Sequence, residues 1–238
     1  MKIAMIGYGK MGKAIEAIAL EKGHHVPLII DINNQASLTA ANLQQVDAAI
    51  EFTGPHSAKD NILQCLQAGV PVVSGSTGWL NQWDEVKQFC EQVNGTLLYA
   101  SNFSVGVNIF FEVNRQLALL MDKQPDYEVT MEEIHHTEKK DAPSGTAITL
   151  AEQIIASLGR KKSWINQTAA NAEQIAIISE RIDPAPGTHK IKYASAIDDI
   201  EIIHTAHNRK GFASGAVLAA EFINQKKGIY SMKDVLGL

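Results

Sequence analysis

The chain has 238 residues, of which 45% are hydrophobic, enough to bury the core of one large domain or two smaller ones. Its formal net charge of -5 argues against binding nucleic acid or anionic membranes through overall electrostatic attraction. The apolar run at the N-terminus is too short for a secretory signal, and no stretch is long enough to span a bilayer, so we expect a soluble, cytoplasmic protein.

Strand-like and helix-like segments alternate over roughly the first 100 residues. Helical segments are predicted after the first glycine-rich loop up to Gly23, at 61–68 and at 84–93. This alternation predicts right-handed crossovers and a parallel sheet. The short apolar runs that we interpret as its strands are 2–6, 25–30, 46–52, 70–73 and 96–100.

The pattern changes near residues 101–108. Helices are predicted at 107–121, 144–158 and 214–225. Strand-like patterning predicts a second sheet, mixed or antiparallel, that carries two helices. Its predicted strands are 127–135, 175–182, 189–195 and 199–204.

The segment GYGKMG fits the pattern G-x-G-x-x-G at Gly7, Gly9 and Gly12, between a predicted strand and a predicted helix. Glycines there allow a tight turn, close approach to a pyrophosphate and close packing of the helix, whose N-terminus attracts phosphate. Asp31 ends the next strand, roughly 20 residues later, where an acid holds the ribose hydroxyls. The alternative is a glycine-rich turn without a ligand.

A carboxylate at Asp31 repels the 2′-phosphate of NADPH, and the next three residues carry no positive charge. We therefore expect NADH as the preferred cofactor, with NADPH as the alternative if Lys10 or a distant side chain binds the phosphate. The loops after the third, fourth and fifth strands should lie at the same sheet edge as the cofactor, although their residue types are also ordinary in turns.

The stretch EIHHTEKKDAPSGTA precedes an apolar helical run, and Ser144 or Thr146 can cap that helix. Free amides and hydroxyls at a helix N-terminus can also bind a carboxylate, and the two interpretations are compatible. His135 and His136 point to opposite sides if the strand continues through them, so they cannot chelate one metal ion together.

His204 and His207 lie elsewhere in the chain without zinc-ligand spacing, and the two cysteines show no CxxC spacing, so no metal site and no disulfide framework are expected. Histidine can deliver a proton near neutral pH, and Lys139 can neutralise a carboxylate. Together they suit a small dianionic substrate that takes up a hydride and a proton.

This stretch matches Glu-x-His-His-x-x-Lys-x-Asp-Ala-Pro-Ser-Gly-Thr-Ala at every fixed position and resembles the signature of the dihydrodipicolinate reductase family. The segments at 102–108, 212–217 and 228–238 also resemble that family, so the likeness spans essentially the whole chain. It implies reduction of 4-hydroxy-tetrahydrodipicolinate with loss of water in diaminopimelate and lysine biosynthesis, with hydride going to ring C4. It further implies an α/β fold: a Rossmann-type parallel-sheet domain plus a smaller α+β substrate and oligomerisation domain with a mixed sheet.

The resemblance also implies residue roles. His135 is the proton donor and Lys139 the second catalytic residue. The implied substrate-binding residues are His136, Ser144, Gly145, Thr146 and Arg209. The implied cofactor-binding residues are Gly7, Tyr8, Gly9, Lys10, Met11, Gly12, Asp31, Phe52, Thr53, Gly75, Ser76, Thr77, Ala100, Ser101, Asn102 and Phe103.

Residues 1–103 and 213–238 are expected to form the dinucleotide-binding domain, and residues 104–212 the domain that binds substrate and forms a homotetramer. The glycine loop is one residue shorter than the common family form, and Gly54 replaces a frequent arginine. Two alternatives stay open: a reductase for another small dicarboxylate, and a dinucleotide sensor without catalysis. The sensor would tolerate loss of His135 or Lys139, and both are present.

Overall fold

The computed structural model describes residues 1–169, 171–208 and 210–238, which form two compact units. The first unit comprises Met1–Val105 and Lys210–Leu238, and the second comprises Gly106–Arg209. The strands are β1 (Lys2–Ile6), β2 (His25–Ile30), β3 (Ala48–Glu51), β4 (Val72–Ser74), β5 (Thr96–Tyr99), β6 (Glu128–His135), β7 (Ser163–Ile165), β8 (Gln174–Arg181), β9 (Thr188–Ala194), β10 (Asp199–Thr205) and β11 (Gly228–Tyr230). The helices are α1 (Lys10–Glu21), α2 (Ala40–Leu43), α3 (Ala58–Gln67), α4 (Trp83–Gln92), α5 (Val105–Met121), α6 (Gly145–Ser157), α7 (Lys210–Ile223) and α8 (Met232–Leu236).

In the first unit, the described residues form a six-stranded sheet in the order β11-β5-β4-β3-β1-β2, with every pairing parallel. Ile3 and Met5 of β1 pack with α1 and α7 on one face, whereas Ala4 and Ile6 pack with α3 and α4 on the other. A strand buried on both faces needs a continuous apolar sequence, which KIAMI supplies. The predicted parallel sheet with helices is confirmed.

In the second unit, the described strands form a mixed sheet in the order β10-β9-β6-β8-β7. β6 pairs antiparallel with β9 and parallel with β8. Val129 and Met131 of β6 lie in a core with residues of α5 and α6, while the alternate residues of β6 are exposed or half-buried. The sheet therefore has one face covered by helices and one open face, as its period-two pattern predicts.

Some boundaries differ from the prediction. α7 begins at Lys210 rather than at Ser214, because Ala213 is already on its buried face and packing extends the helix by a turn. Residues 210–212 consequently fall in the first unit. β7 and β11 have three residues each and occupy sheet edges, too short for a periodic signal.

None of the helices in the described part of the chain combines the length and the apolar character needed to cross a membrane.

Candidate functional site

The glycine loop after β1 has the geometry that its sequence pattern predicts. Gly7 has φ +93°, and a Cβ atom there would lie 2.1 Å from the carbonyl oxygen of Phe52. A Cβ atom on Gly12 would lie 2.2 Å from the carbonyl oxygen of Gly7. Gly9 caps the N-terminus of α1, and a Cβ atom on it would have open space around it. Side chains are thus excluded at two positions, and space is left open in front of the helix N-terminus.

A cavity of about 430 Å³ lies beside this loop. Asp31, which follows β2, lines it, and one carboxylate oxygen accepts a hydrogen bond from the amide of Asn33 at 2.7 Å. No lysine or arginine is among the described residues that line it. Those residues are Ile6, Gly7, Tyr8, Gly9, Ile30, Asp31, Ile32, Gln35, Phe52, Thr53, Ser57 and Asn61. An open helix N-terminus with an acid at the next strand end fits the phosphates and ribose of a dinucleotide.

The other predicted residues of this unit have different surroundings. Lys10 is exposed, and Met11 is half-buried against the core. A Cβ atom on Gly75 would lie 2.2 Å from the ring of Phe52, which packs 5.5 Å from the ring of Phe103. Phe103 is itself buried in the core, so its side chain supports Phe52 instead of facing the cavity. Of the remaining predicted residues, Thr77 and Ser101 are exposed, and Ala100 and Asn102 are half-buried.

Glu51 is a buried carboxylate at the end of β3 that the sequence analysis missed. It accepts hydrogen bonds from the amide of Thr53 at 2.9 Å, from Ser74 Oγ at 2.7 Å and from Ser76 Oγ at 2.8 Å. The hydroxyl of Thr53 also donates to it. The predicted cofactor residues Thr53 and Ser76 are therefore tied to one carboxylate, which joins the loops after β3 and β4. A glutamate inside an apolar strand run was the available signal.

In the second unit, three side chains converge on the helix-covered face of the sheet. Glu133 and His135 are two residues apart on β6, and His189 is the partner of Glu133 on β9. The Nε2 atoms of the two histidines are 3.4 Å apart. Oε2 of Glu133 lies 3.6 Å from Nε2 of His135 and 3.7 Å from Nε2 of His189. All three residues are buried. Roles for Glu133 and His189 were not predicted from the sequence, because their contact depends on the register of β6 against β9.

Ser144 joins this cluster to α6. Its hydroxyl accepts a hydrogen bond from the amide of Ala147 and is therefore the N-cap of the helix. Its own amide donates to both oxygens of Glu133, at 3.0 and 3.1 Å, and its Oγ lies 3.2 Å from His189 Nε2. Gly145, which follows it, is exposed, and Thr146 is half-buried. The first turn of α6 is thus fixed against β6 by the carboxylate.

The charges in the cluster follow from burial and hydrogen bonding. Burial alone raises the pKa of Glu133, but hydrogen bonds from Ser144, Ser179 and Arg181 outweigh it and hold that pKa below its usual range. Burial lowers the pKa of His135, against the opposing effect of Glu133, and lowers the pKa of His189 to about 4. At neutral pH the cluster therefore holds one carboxylate and two uncharged imidazoles.

Lys139 and His136 lie on the loop between β6 and α6. Lys139 Nζ is 2.8 Å from both carboxylate oxygens of Asp141. Burial raises the pKa of Asp141, but the hydrogen bond and the charge of Lys139 lower that pKa by more, so the net shift is downward. His136 lines a cavity of about 370 Å³, together with Thr137, Glu138, Asp183, Pro184, Pro186 and Asn208. Arg209, a predicted substrate ligand, lies outside the described residues.

Arg181 is a further residue that the sequence analysis missed. Its guanidinium donates to Glu133 Oε1 at 3.2 Å and to the backbone carbonyl oxygens of Lys139 and Asp141. One side chain at the end of β8 therefore connects the buried carboxylate to the loop that carries Lys139. The sequence around Arg181 does not predict its contact with Glu133, because that contact depends on the pairing of β6 with β8.

Family models match nearly the whole chain. The model described as "Dihydrodipicolinate reductase, N-terminus" matches residues 1–103, and "Dihydrodipicolinate reductase, C-terminus" matches residues 106–236.

Curated relatives and a solved structure are similar over comparable lengths. A protein of Christiangramia forsetii named 4-hydroxy-tetrahydrodipicolinate reductase is 45% identical over 236 residues, covering 99% of this chain and 98% of the relative. One of Alkaliphilus oremlandii with the same name is 33% identical, covering 97% and 95%. Dipicolinate-bound dihydrodipicolinate reductase from Paenisporosarcina sp. TG-14 has a TM-score of 0.78 at 23% identity, covering 97% of each chain, and so shares the fold.

Proposed function

The chain belongs to the dihydrodipicolinate reductase family, and from this premise we propose that it reduces 4-hydroxy-tetrahydrodipicolinate to tetrahydrodipicolinate with loss of water, in diaminopimelate and lysine biosynthesis. The observation that carries the proposal is the 45% identity over 99% of the chain with a relative of that name. The unbroken signature from Glu133 to Ala147 supports it. A cytoplasmic location is part of the proposal.

The first unit is proposed to hold the nicotinamide cofactor, which supplies the hydride when bound. The N-terminus of α1 and Gly9 face the phosphates, and the carboxylate of Asp31 accepts hydrogen bonds from the ribose hydroxyls. NADH is the proposed preference, because Asp31 repels a 2′-phosphate and the described lining of the cavity supplies no lysine or arginine to offset it. Glu51 keeps Thr53 and Ser76 in position.

The second unit is proposed to bind the dicarboxylate and to deliver the proton. The exposed Gly145 and the half-buried Thr146 at the N-terminus of α6 offer amides and a hydroxyl to one carboxylate. Lys139 releases Asp141 and binds a carboxylate of the substrate instead. His136 contacts the substrate from the cavity that this histidine lines. His135 is uncharged in the free protein; the bound dianion and the ionised Glu133 both favour its charged form, from which it donates the proton. Ser144 is buried, so it supports substrate binding indirectly: its hydroxyl caps α6 and its amide donates to Glu133.

The open face of the second sheet is proposed to form the homotetramer. Ile178 and Ile203 are 41% and 56% exposed, and the register places Ile203 opposite Lys190 on that face. Exposed isoleucines among paired charges, such as Lys190 with Glu201, are suited to contact with another copy of the same face.

A coupled assay tests the reaction. Pyruvate, aspartate semialdehyde and an active synthase generate the substrate, and oxidation of NADH or NADPH is followed by absorbance. We expect oxidation that requires both the synthase and this protein, and a higher catalytic efficiency with NADH. Folded protein that binds NADH without oxidising it would favour the sensor hypothesis. A higher efficiency with NADPH would overturn the argument from Asp31.

A further inference from the structure

We infer that Glu133, His135 and His189 form a binding site for a zinc-like divalent cation, and that an ion bound there inhibits the enzyme. The ligand atoms are Glu133 Oε2 and the Nε2 atoms of the two histidines. The inhibitory part rests on the proposed function, in which His135 donates the proton. The binding part rests on geometry alone.

The distances fit zinc coordination. The three ligand atoms are 3.4, 3.6 and 3.7 Å apart. A point equidistant from them lies about 2.1 Å from each, which is the usual bond length from zinc to imidazole nitrogen or carboxylate oxygen. That point lies in the plane of the three atoms, with angles of about 110° between the nitrogens and about 120° and 130° from the nitrogens to the oxygen. Tetrahedral zinc with such bonds needs ligand separations of about 3.3–3.4 Å, which the two nitrogens meet and the oxygen exceeds by about 0.3 Å.

The two rings are also oriented suitably. Imidazoles that each direct Nε2 at such a point have ring centroids about 5.3 Å apart, given the zinc–nitrogen bond length. The observed centroid separation is 5.1 Å, with the ring planes inclined by 71°. The observed separation is thus within about 0.2 Å of the one that a shared metal ion requires.

The charges around the cluster allow a cation. Arg181 binds Oε1 of Glu133, at 3.2 Å. Oε2 accepts one hydrogen bond, from the Ser144 amide at 3.1 Å, which leaves it a second lone pair for an ion on the side of the histidines. The ammonium group of Lys139 is paired with Asp141. Two imidazoles and one carboxylate favour zinc over magnesium, which prefers oxygen ligands.

A bound ion would occupy the Nε2 atom of His135 that faces Glu133. The imidazole could then neither carry nor release a proton at that atom, so metal binding and proton delivery exclude each other. Three protein ligands leave a fourth position, which a water molecule can fill. The ion is therefore inferred to be an inhibitor and not a cofactor.

The test measures zinc binding and turnover separately. Untagged protein, freed of metal by a chelator, competes with a chromophoric indicator for Zn²⁺, with Mg²⁺ as the comparison ion. We expect one Zn²⁺ per chain, no competition by Mg²⁺, and loss of turnover in the coupled assay over the same zinc concentrations, reversed by chelator. His189→Gln should weaken zinc binding by at least about 100-fold, because it removes one of three ligands.

His136→Gln is the matched control, since His136 adjoins His135 in the chain but lies outside the triangle of ligand atoms. It should bind zinc as the parent does. If His189→Gln fails to fold, as judged by circular dichroism, His135→Gln removes the other imidazole and replaces it in the test. Parent protein that binds no zinc, or a variant lacking one imidazole that binds it equally well, overturns the site.

The two proposals fail in different ways. Turnover without added zinc reports the proposed function alone, so an active enzyme that does not bind zinc overturns only the metal site. Inactive protein that binds one zinc per chain, lost in His189→Gln, supports the site and overturns the reductase. An active enzyme that binds zinc there and is not inhibited overturns the inhibitory part.

Discussion

Lys139 and Asp141 form an ion pair within the loop that precedes α6, with Nζ 2.8 Å from both carboxylate oxygens. The ion pair holds the ammonium group of Lys139 in place, and because the side chain is 20% exposed, the group keeps some contact with solvent. A substrate carboxylate can replace Asp141 as its partner. The residue thus combines a fixed position with an exchangeable partner, which suits the proposed binding and release of a dianion.

Lys139→Ala should lower kcat/KM by about 10²–10⁴-fold while leaving the affinity for NADH unchanged, because the lysine is proposed to contact the substrate and not the cofactor. Lys140→Ala removes the adjacent, exposed lysine and should retain parental turnover. Steady-state kinetics and fluorescence titration with NADH measure the two quantities. Equal turnover in Lys139→Ala and the parent would remove this lysine from the mechanism.

The adjacent histidines differ in their surroundings: His135 belongs to the buried cluster, whereas His136 lines the cavity. His135→Gln should lower kcat by about 10²–10⁴-fold through loss of general acid catalysis. His136→Gln should mainly raise KM for the substrate, because it removes a binding contact. The coupled assay at varied substrate concentration separates the effects. The reverse pattern would assign proton delivery to His136.

Glu51→Gln should destabilise the protein by about 1–3 kcal/mol, since an amide group would face donors that now share a carboxylate. KM for NADH should rise more than kcat falls, because the loops after β3 and β4 lose their common acceptor. Urea unfolding and kinetics check both effects, and Asp60→Asn on α3 is the control. Unchanged stability and unchanged KM would make the network dispensable.

At the scale of elements, α7 packs closely on the chain segment that follows β5. A Cβ atom on Gly215 would lie 1.7 Å from the carbonyl oxygen of Phe103, whereas one on Gly211 would lie 3.5 Å from Ser104 Oγ. Backbone atoms cannot yield as a flexible side chain does. The same helix therefore contains one glycine that close packing requires and one that it does not.

Gly215→Ala should lower the free energy of unfolding by about 3 kcal/mol through overpacking. Gly211→Ala in the same helix should be neutral or stabilise by up to about 1 kcal/mol, because alanine favours helix and its methyl group meets an ordinary contact. Urea denaturation of both variants measures the difference. Similar stabilities for the two would contradict the close approach of α7 to Phe103.

Prediction from sequence succeeded where the determinants are local. β1, the turn at Gly7 and the position of Asp31 after β2 are recognisable within about 30 residues of chain, because turn chemistry and strand length set them. The cofactor-binding roles of Gly7 and Asp31 stay predictions. Ser144 as a helix cap is equally local. His189 could not be assigned, since its place beside Glu133 depends on the register of β6 against β9.

Glu51 was missed for a similar reason, because its hydrogen-bond donors come from two loops that are separated in sequence. The edge strands β7 and β11 were missed because three residues show no period. Long-range pairing, rather than local propensity, therefore marks the limit of what the sequence revealed.

At the scale of the whole molecule, assembly of the proposed tetramer depends on the open face of the second sheet. Ile178→Glu should dissociate the assembly, because it buries a charge in an apolar contact. Ile197→Glu, at a position that is 92% exposed in the turn between β9 and β10, should leave it intact. Light scattering after size-exclusion chromatography gives the mass. A monomeric parent, or a tetrameric Ile178→Glu variant, would overturn the proposed interface.

The first unit is completed by a segment that follows the second unit in the chain. Ala213, Ala216, Val217 and Ala220 of α7 belong to the core on one face of its sheet, and β11 forms the sheet edge beside β5. The second unit, in contrast, is a continuous segment. On the ribosome, the second unit can therefore fold while the first still exposes an apolar sheet face, and translation that stalls before α7 leaves a product prone to aggregation.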